Sequence, residues 1–512
     1  MTAVAVESAP APAPPKPLQW LLAARILRTE IRHSAFVWCL PLLVVLFIYD
    51  PYRTAAGYPA LWPLRSTVLL NKFWPDMVVF AAGFSAWAGS REGRRDIADL
   101  LATTARPAWT RQLCSLAGTA SWVVAAFLAG VVALYVRTSQ VATWGGPPIS
   151  PVVVGVVGLV MVCAVAFALG ALFPGRFTAP IVAVALTIIT LVAFRQAVNA
   201  SGGPIRVLSP DGSVPANDWG LFYRTSIGVP VVQVMFMGGV ALAAVGLLGL
   251  SPRTGGTGWR GVLSTVAAGG TRLRAIALSL FSIGVAAAVV GFGLASTATG
   301  SPSGGYEIPA IDGSASSPIA YTPVCSAGSF QVCVHPAYRG YLPQVTSALG
   351  SVVAALSGLP GVPAHAVEVP QSALPQVVDE GNGNGEVTGG VYKFSMNNAI
   401  DLVPDANSLR DGFQQDIVHA VVVGSPASLQ QGNGTAAQQA VEDGLLRALG
   451  SEPYPVGGPS NGPSARQFQQ QQDEVAKAAA KFAALPAATR HAWLASNLTA
   501  LKAGTITLGQ LP

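Results

Sequence analysis

Ser90–Ala117 reads SREGRRDIADLLATTARPAWTRQLCSLA. It lies between two apolar stretches, Pro75–Ser90 and Leu116–Val136, and holds five arginines. A bilayer core accepts about 20 apolar residues per helix, and charges within it are costly. A segment this polar stays in water while its flanks enter lipid. The chain is therefore expected to cross the membrane more than once.

Composition agrees. Of 512 residues, 51% are apolar and 11% charged, about half the charged share usual in soluble domains. The net charge of +6 reads as arginine at a cytoplasmic membrane face. No soluble region interleaves basic and aromatic residues, so no nucleic-acid partner is expected.

Seven apolar stretches are expected to be spans: Ala35–Tyr49, Pro75–Ser90, Leu116–Val136, Pro151–Phe173, Ala179–Phe194, Val229–Leu250 and Ile276–Ala298. The first, second and fifth are short for a span. Loops on the N-terminal side hold fourteen Lys and Arg, against seven on the other side. The N-terminus is thus expected inside and, after seven spans, the C-terminus outside. Met1–Pro17 is Ala/Pro-rich and reads as a disordered cytoplasmic tail. Trp20, Ala23, Ala24, Leu27 and Ile31 share one face of a helix over Leu18–His33, with Arg25, Arg28 and Arg32 beside it. That pattern suits a helix lying in the membrane interface.

Residues 18–298 thus form a polytopic α-helical membrane domain with its polar loop at 90–115. Residues 299–320 read as a Gly/Ser/Pro-rich linker. Residues 321–512 form an α+β extracytoplasmic domain long enough to bury its own core. Strands are expected at Gln331–His335, Val367–Val369 and Gly390–Phe394. Helices are expected at Pro343–Ser357, Asp411–Val423, Thr435–Leu449, Ala465–Leu485 and Ala487–Ala503, with Gly450 and Gly504 as C-terminal caps.

Cys39, Cys114 and Cys163 lie in or beside spans and read as small apolar groups. Cys325 and Cys333 lie outside, and a disulfide is the natural reading in an oxidising space. Zinc held by Cys333 and His335 is the alternative, although the spacing matches no common structural site.

Within the polar loop, a helix over Glu92–Thr104 would bring together Ile97, Leu100, Leu101 and Thr104, and Pro107 would end it. By pattern alone this is either an ordinary positive-inside loop or a short element that docks into a cytoplasmic partner. The segment resembles the coupling-helix region of type 2 ABC exporter permeases. The resemblance rests on Arg91-Glu92, on Asp99-Leu100-Leu101-Ala102-Thr103, and on Arg106 with Pro107. The proline stands a few residues later than in the family. The helix before the first span also resembles that family's connecting helix. A seventh span and a large outer domain depart from the simplest members and resemble an actinobacterial variant. The resemblance implies an export role in the cell membrane and a coupling set of Arg91, Glu92, Arg94, Arg95, Asp99, Leu100, Leu101 and Thr103. It also implies an ABC ATPase subunit carrying ATP-Mg, a second permease copy or paralogue, and contact with membrane lipid. The chain itself lacks the phosphate-binding Gly-x4-Gly-Lys-Ser/Thr. None of its six lysines follows a glycine or precedes Ser or Thr. No cofactor is expected on this chain.

One further motif lies in the outer domain. Gln415-Asp416-Ile417-Val418-His419 has the spacing of the zincin His-Glu-x-x-His, with Glu442 downstream. Gln is a poor zinc ligand and Asp a short base, so His419 and Glu442 are only weak metal candidates and no enzyme activity is expected. A membrane-anchored binding domain, or a degenerate zincin-like one, is the competing account of the whole chain.

Overall fold

The computed structural model describes residues 19–94, 108–199, 203–210, 220–250, 272–301, 305–313, 317–374, 385–396, 406–424, 434–453 and 463–512. The chain is mostly helical, with one five-stranded sheet in its C-terminal part.

Helix α1 (Gln19–Arg32) is amphipathic and stops where Ser34 turns extended and accepts a hydrogen bond from the Phe36 N–H. A 3-10 turn then leads into α2 (Leu40–Phe47). Next come α3 (Trp62–Val68) and α4 (Trp74–Arg94), joined by a π-helical turn at Leu69–Phe73 into one rod. α5 (Ala108–Ser139), α6 (Ser150–Leu172), α7 (Thr178–Asn199), α8 (Gly228–Leu250) and α9 (Arg272–Ala295) complete the helical part.

Among the described residues, five helical segments are long and apolar enough to cross a membrane: Ala24–Gly57, Trp109–Ser139, Ser150–Leu172, Gly228–Leu250 and Arg274–Ala295. The second and fifth expected spans fall on α4 and α7. The end of α4 carries Arg91, Glu92 and Arg94, and the apolar run of α7 is only Thr178–Val192. Both pack in the same bundle as α6.

Helices in lipid gain little from hydrophobic burial against each other, so close approach of their backbones matters more. α4 crosses α6 where a Cβ at Gly170 would fall onto the Ala86 carbonyl. α8 crosses α9 where Gly239 faces Gly284; a Cβ on Gly239 would sit 2.6 Å from the Gly284 carbonyl oxygen.

The C-terminal part is a mixed sheet of β1 (Val324–Cys325), β2 (Gln331–Val334), β3 (His365–Glu368), β4 (Gly385–Thr388) and β5 (Val391–Phe394), in spatial order 1-2-3-5-4. β2, β3 and β5 are parallel, and the edge strands β1 and β4 run antiparallel to them. Alternation puts Val332, Val334, Ala366, Tyr392 and Phe394 inside. Helices α10 (Leu342–Ala355) and α11 (Ala406–Val422) pack over them through Val345, Leu349, Val352, Phe413, Ile417 and Val421. α12 (Ala436–Ala448), α13 (Pro463–Ala484) and α14 (Ala487–Lys502) follow, and positive-φ Gly450 and Gly504 stand just beyond α12 and α14. Cys325 and Cys333 are cross-strand partners and form a disulfide, so neither thiolate can bind zinc beside His335.

The segment expected as a linker, 299–320, makes contacts with the helical part over its described residues. Thr299–Gly300 pairs with Tyr306–Glu307, and Pro318 bridges to Tyr223. Asp312 accepts hydrogen bonds from the Ile227 N–H (3.0 Å), the Gly228 N–H (2.8 Å) and the Ser226 hydroxyl (2.5 Å), and from the Ile308 N–H at 2.9 Å. It thereby satisfies donors at the start of α8 that a helix leaves unpaired. Composition reported the small and proline residues here but not this acceptor.

Burial alone would raise the Asp312 carboxyl, but the Ser226 hydroxyl and the Ile308, Gly228 and Ile227 amides outweigh it and hold it below its usual value. A lowered folded value means that this contribution is full above the unfolded carboxylate pKa and fades as pH falls through the folded one. Asp312→Ala should lose about 1 kcal/mol at neutral pH. The gap from wild type in thermal midpoint, followed by tryptophan fluorescence, should close as pH falls below about 4.

Candidate functional site

The polar end of the bundle is built from three helices. Arg91 and Glu92 occupy the last turns of α4, so Glu92 belongs to that long helix rather than opening a separate one. As helix neighbours they point in different directions, and each finds a different partner. The Arg91 guanidinium binds Glu30 of α1 with both arms, Nη2 to Oε1 at 2.9 Å and Nη1 to Oε2 at 3.5 Å. Glu92 Oε1 accepts from Arg111 Nε in the first turns of α5 at 3.4 Å. α1 is held to α5 as well. The Trp122 indole N–H donates to the Ile31 carbonyl at 2.6 Å, and Gly118 lets the Glu30 backbone come close. Trp109 donates to the Val245 carbonyl of α8 at 3.2 Å.

The two ion pairs therefore close the base of the 95–107 segment onto α1 and α5. Their side chains keep between a fifth and a third of their exposure, so each contributes at most about 1 kcal/mol and fixes register more than stability. Arg94 ends α4. Arg95, Asp99, Leu100, Leu101 and Thr103 lie outside the described residues.

At the other end, the C-terminal domain rests on the turns between helices. The Thr143 hydroxyl donates to the Pro336 carbonyl at 2.9 Å. Ile319 N–H donates to the Phe222 carbonyl at 2.8 Å, and Arg224 N–H to that of Ser317 at 2.9 Å. His335 is fully buried at this junction among Tyr321, Trp144 and Phe222, with ring centroids 4.4, 4.5 and 5.3 Å away. Its Nδ1 accepts from the Ala337 N–H at 3.1 Å, and its backbone N–H donates to the buried Glu368 carboxylate at 2.5 Å. Burial pushes its pKa down to about 4, so the ring is neutral at ordinary pH. Leu61, Leu64, Leu221 and Phe222 belong to the same buried cluster as the domain's own core.

Arg65, one of the seven basic residues counted in the loops opposite the N-terminal side, is 5% exposed. It donates to the Tyr58 carbonyl at 3.0 Å, to that of Ala56 at 3.4 Å and to the Thr138 hydroxyl at 3.4 Å. It thus ties the turn before α3 to the end of α5. Only its position beside an apolar run could have suggested this.

The zincin-like residues do meet. His419 on α11 and Glu442 on α12 are mostly buried, with Nδ1 3.0 Å from Oε2. Burial would hold the imidazole down, but Glu442's hydrogen bond and charge, with the Asp416 charge, raise it. Asp416 itself accepts from the Tyr392 hydroxyl at 2.6 Å. Glu442 engages only Nδ1, and His419 Nε2 and Gln415 Oε1 are buried without a hydrogen-bond partner; Gln415, a poor zinc ligand, stands where a second imidazole would be needed. Among the described residues no group of three His, Cys, Asp or Glu could hold a metal.

No family model, curated protein or solved structure matches the chain.

If the Glu92–Arg111 pair aligns α4 with α5, reversing one charge should cost up to about 1 kcal/mol. Reversing both should restore most of that. The test is a double-mutant cycle on thermal midpoints with Glu92→Arg, Arg111→Glu and the pair together. Additive losses would mean that the two side chains act independently.

Proposed function

We propose that the chain is the membrane subunit of an ABC exporter of the type 2 class, driven by a separate ATPase subunit. The observation that carries this reading is the clamp at the base of 95–107. Arg91 is tied to α1 and Glu92 to α5, so a force applied to the intervening segment reaches two helices at once. An element whose only role is to reconnect two spans has no need of that arrangement. The resemblance of Arg91-Glu92 and Asp99-Leu100-Leu101-Ala102-Thr103 to a coupling-helix region points the same way. The missing phosphate loop means that ATP must be bound elsewhere.

In this reading the chain crosses the cell membrane seven times, with α4 and α7 completing the set. The N-terminus and the 95–107 segment face the cytoplasm, and the C-terminal domain faces outward. A second permease, identical or paralogous, supplies the other wall of the path. Binding and hydrolysis of ATP-Mg on the partner move Leu100 and Leu101, and the clamp passes that movement to α1, α4 and α5. The C-terminal domain, seated on the outer turns, takes no hydrolytic part. The alternative, in which the helices only anchor that domain, has no use for a two-pair clamp at the far end.

Chain purified in mild detergent from the membranes of its own host should bring ATP hydrolysis with it. The Leu100→Asp, Leu101→Asp double variant should lose about tenfold or more of that co-eluting activity, while its own yield and elution volume stay unchanged. Hydrolysis that fails to accompany wild type, or that follows the double variant equally well, would remove the basis of the proposal.

A further inference from the structure

An apolar groove of about 590 Å³ runs between α2 and α5. On α5, Ala125, Ala129 and Ala133 recur one turn apart along it and are exposed. On the opposite wall, Val44 and Ile48 are 55% and 50% exposed. The ring pair Phe47–Phe73, centroids 4.6 Å apart, packs against Gly130 in the floor. The indole N–H of Trp122 at one end is already spent on the Ile31 carbonyl, and Tyr52 lines the other end.

Three observations together identify an occupant. First, the groove follows α2 and its continuation from Leu40 to Tyr52, roughly 18 Å at 1.5 Å per residue. That is close to the depth of one leaflet of a core about 30 Å thick. Second, its lining is apolar throughout except for the Tyr52 hydroxyl and the engaged Trp122 indole. Third, cations stand at the Tyr52 end. Exposed Arg53 follows Tyr52, and Lys72 precedes Phe73. Asp50 answers Lys72 at 3.8 Å, with Asp76 within electrostatic reach of both, and exposed Arg53 supplies the further positive charge. A second copy of the chain could bring an apolar ridge to the groove, but that ridge would offer these cations nothing. A phospholipid offers both an apolar chain and a phosphate.

We propose that this groove binds one acyl chain of a membrane phospholipid from the leaflet nearest the C-terminal domain, with the phosphate at Arg53 and Lys72. The inference rests on these helices crossing a membrane and is independent of the transport reading. The co-eluting ATPase activity above can fail without touching it.

The test uses the full chain, reconstituted in nanodiscs of phosphatidylglycerol and phosphatidylcholine, then moved to detergent for native mass spectrometry. Wild type should retain one phospholipid. Ala125→Leu with Ala129→Leu fills the groove and should abolish retention at an unchanged elution volume. Arg53→Gln with Lys72→Gln should weaken retention of phosphatidylglycerol by about tenfold or more. Should the leucine variant fail to fold, wild type can be labelled with a phospholipid carrying a mid-chain diazirine. Label should concentrate on Val44, Ala125 and Ala129 rather than on exposed Ile181, Val184 and Ile188 of α7. Wild type without bound lipid, retention unaffected by the leucines, or equal labelling of α7 would overturn the proposal. So would spontaneous disulfide linkage of two copies through Ala129→Cys in the bilayer, which would assign the groove to a second copy.

Discussion

Helix α5 is the part on which the other elements depend. Its 32 residues span roughly 48 Å, well beyond a hydrocarbon core of about 30 Å. A helix of that length necessarily projects from the core, and its two ends do different work. Near the start, Arg111, Gly118 and Trp122 hold α4 and α1. Near the finish, Thr138 takes a hydrogen bond from Arg65, and Thr143 and Trp144 just beyond the helix engage the C-terminal domain. One unbroken helix thus connects the ion-paired end to the domain-bearing end.

The two ends are held by different physics. At the Arg91 end the bonds are partly exposed ion pairs, individually weak and tolerant of small movements. At the domain end a neutral histidine is enclosed by three aromatic rings, and the surrounding apolar core is continuous with that of the domain. Burial of that kind resists gradual deformation, because packed side chains shift between discrete arrangements. A device that accepts force at one end and keeps a domain seated at the other would be built with the soft bonds and the stiff bonds in these places. The proposed exporter role uses that asymmetry.

Much of the fold could be read from periodicity. The amphipathic first helix and four of the five expected C-terminal helices lie within a few residues of their expected limits, because each carries a clear apolar stripe or a glycine stop; the helices expected from Leu116 and Asp411 begin eight and five residues earlier, at Ala108 and Ala406, where polar residues continue the helix. Strand β4 (Gly385–Thr388) escaped, since Gly-Glu-Val-Thr offers one apolar side chain and no alternation. The disulfide was legible because Cys325 and Cys333 were the only pair outside the apolar stretches. The binding of the 299–320 segment was not, because one aspartate acting on a helix 84 residues away has no local signature. The His335 enclosure was hidden for the same reason: Trp144, Phe222 and Tyr321 come from three separate segments. At the polar end, sequence singled out Arg91 and Glu92, but their partners Glu30 and Arg111 became visible only once α1, α4 and α5 were packed.

The account places the two ends of α5 on opposite sides of a membrane, with the C-terminal domain outside. Sided thiol labelling measures this directly. In a chain whose Cys39, Cys114 and Cys163 are replaced by Ala, Arg28→Cys marks α1 and Ser496→Cys marks α14, both at exposed positions. A membrane-impermeant maleimide should label Ser496→Cys in intact cells and Arg28→Cys only after permeabilisation. Labelling of both from outside, or of Arg28→Cys alone, would contradict the account.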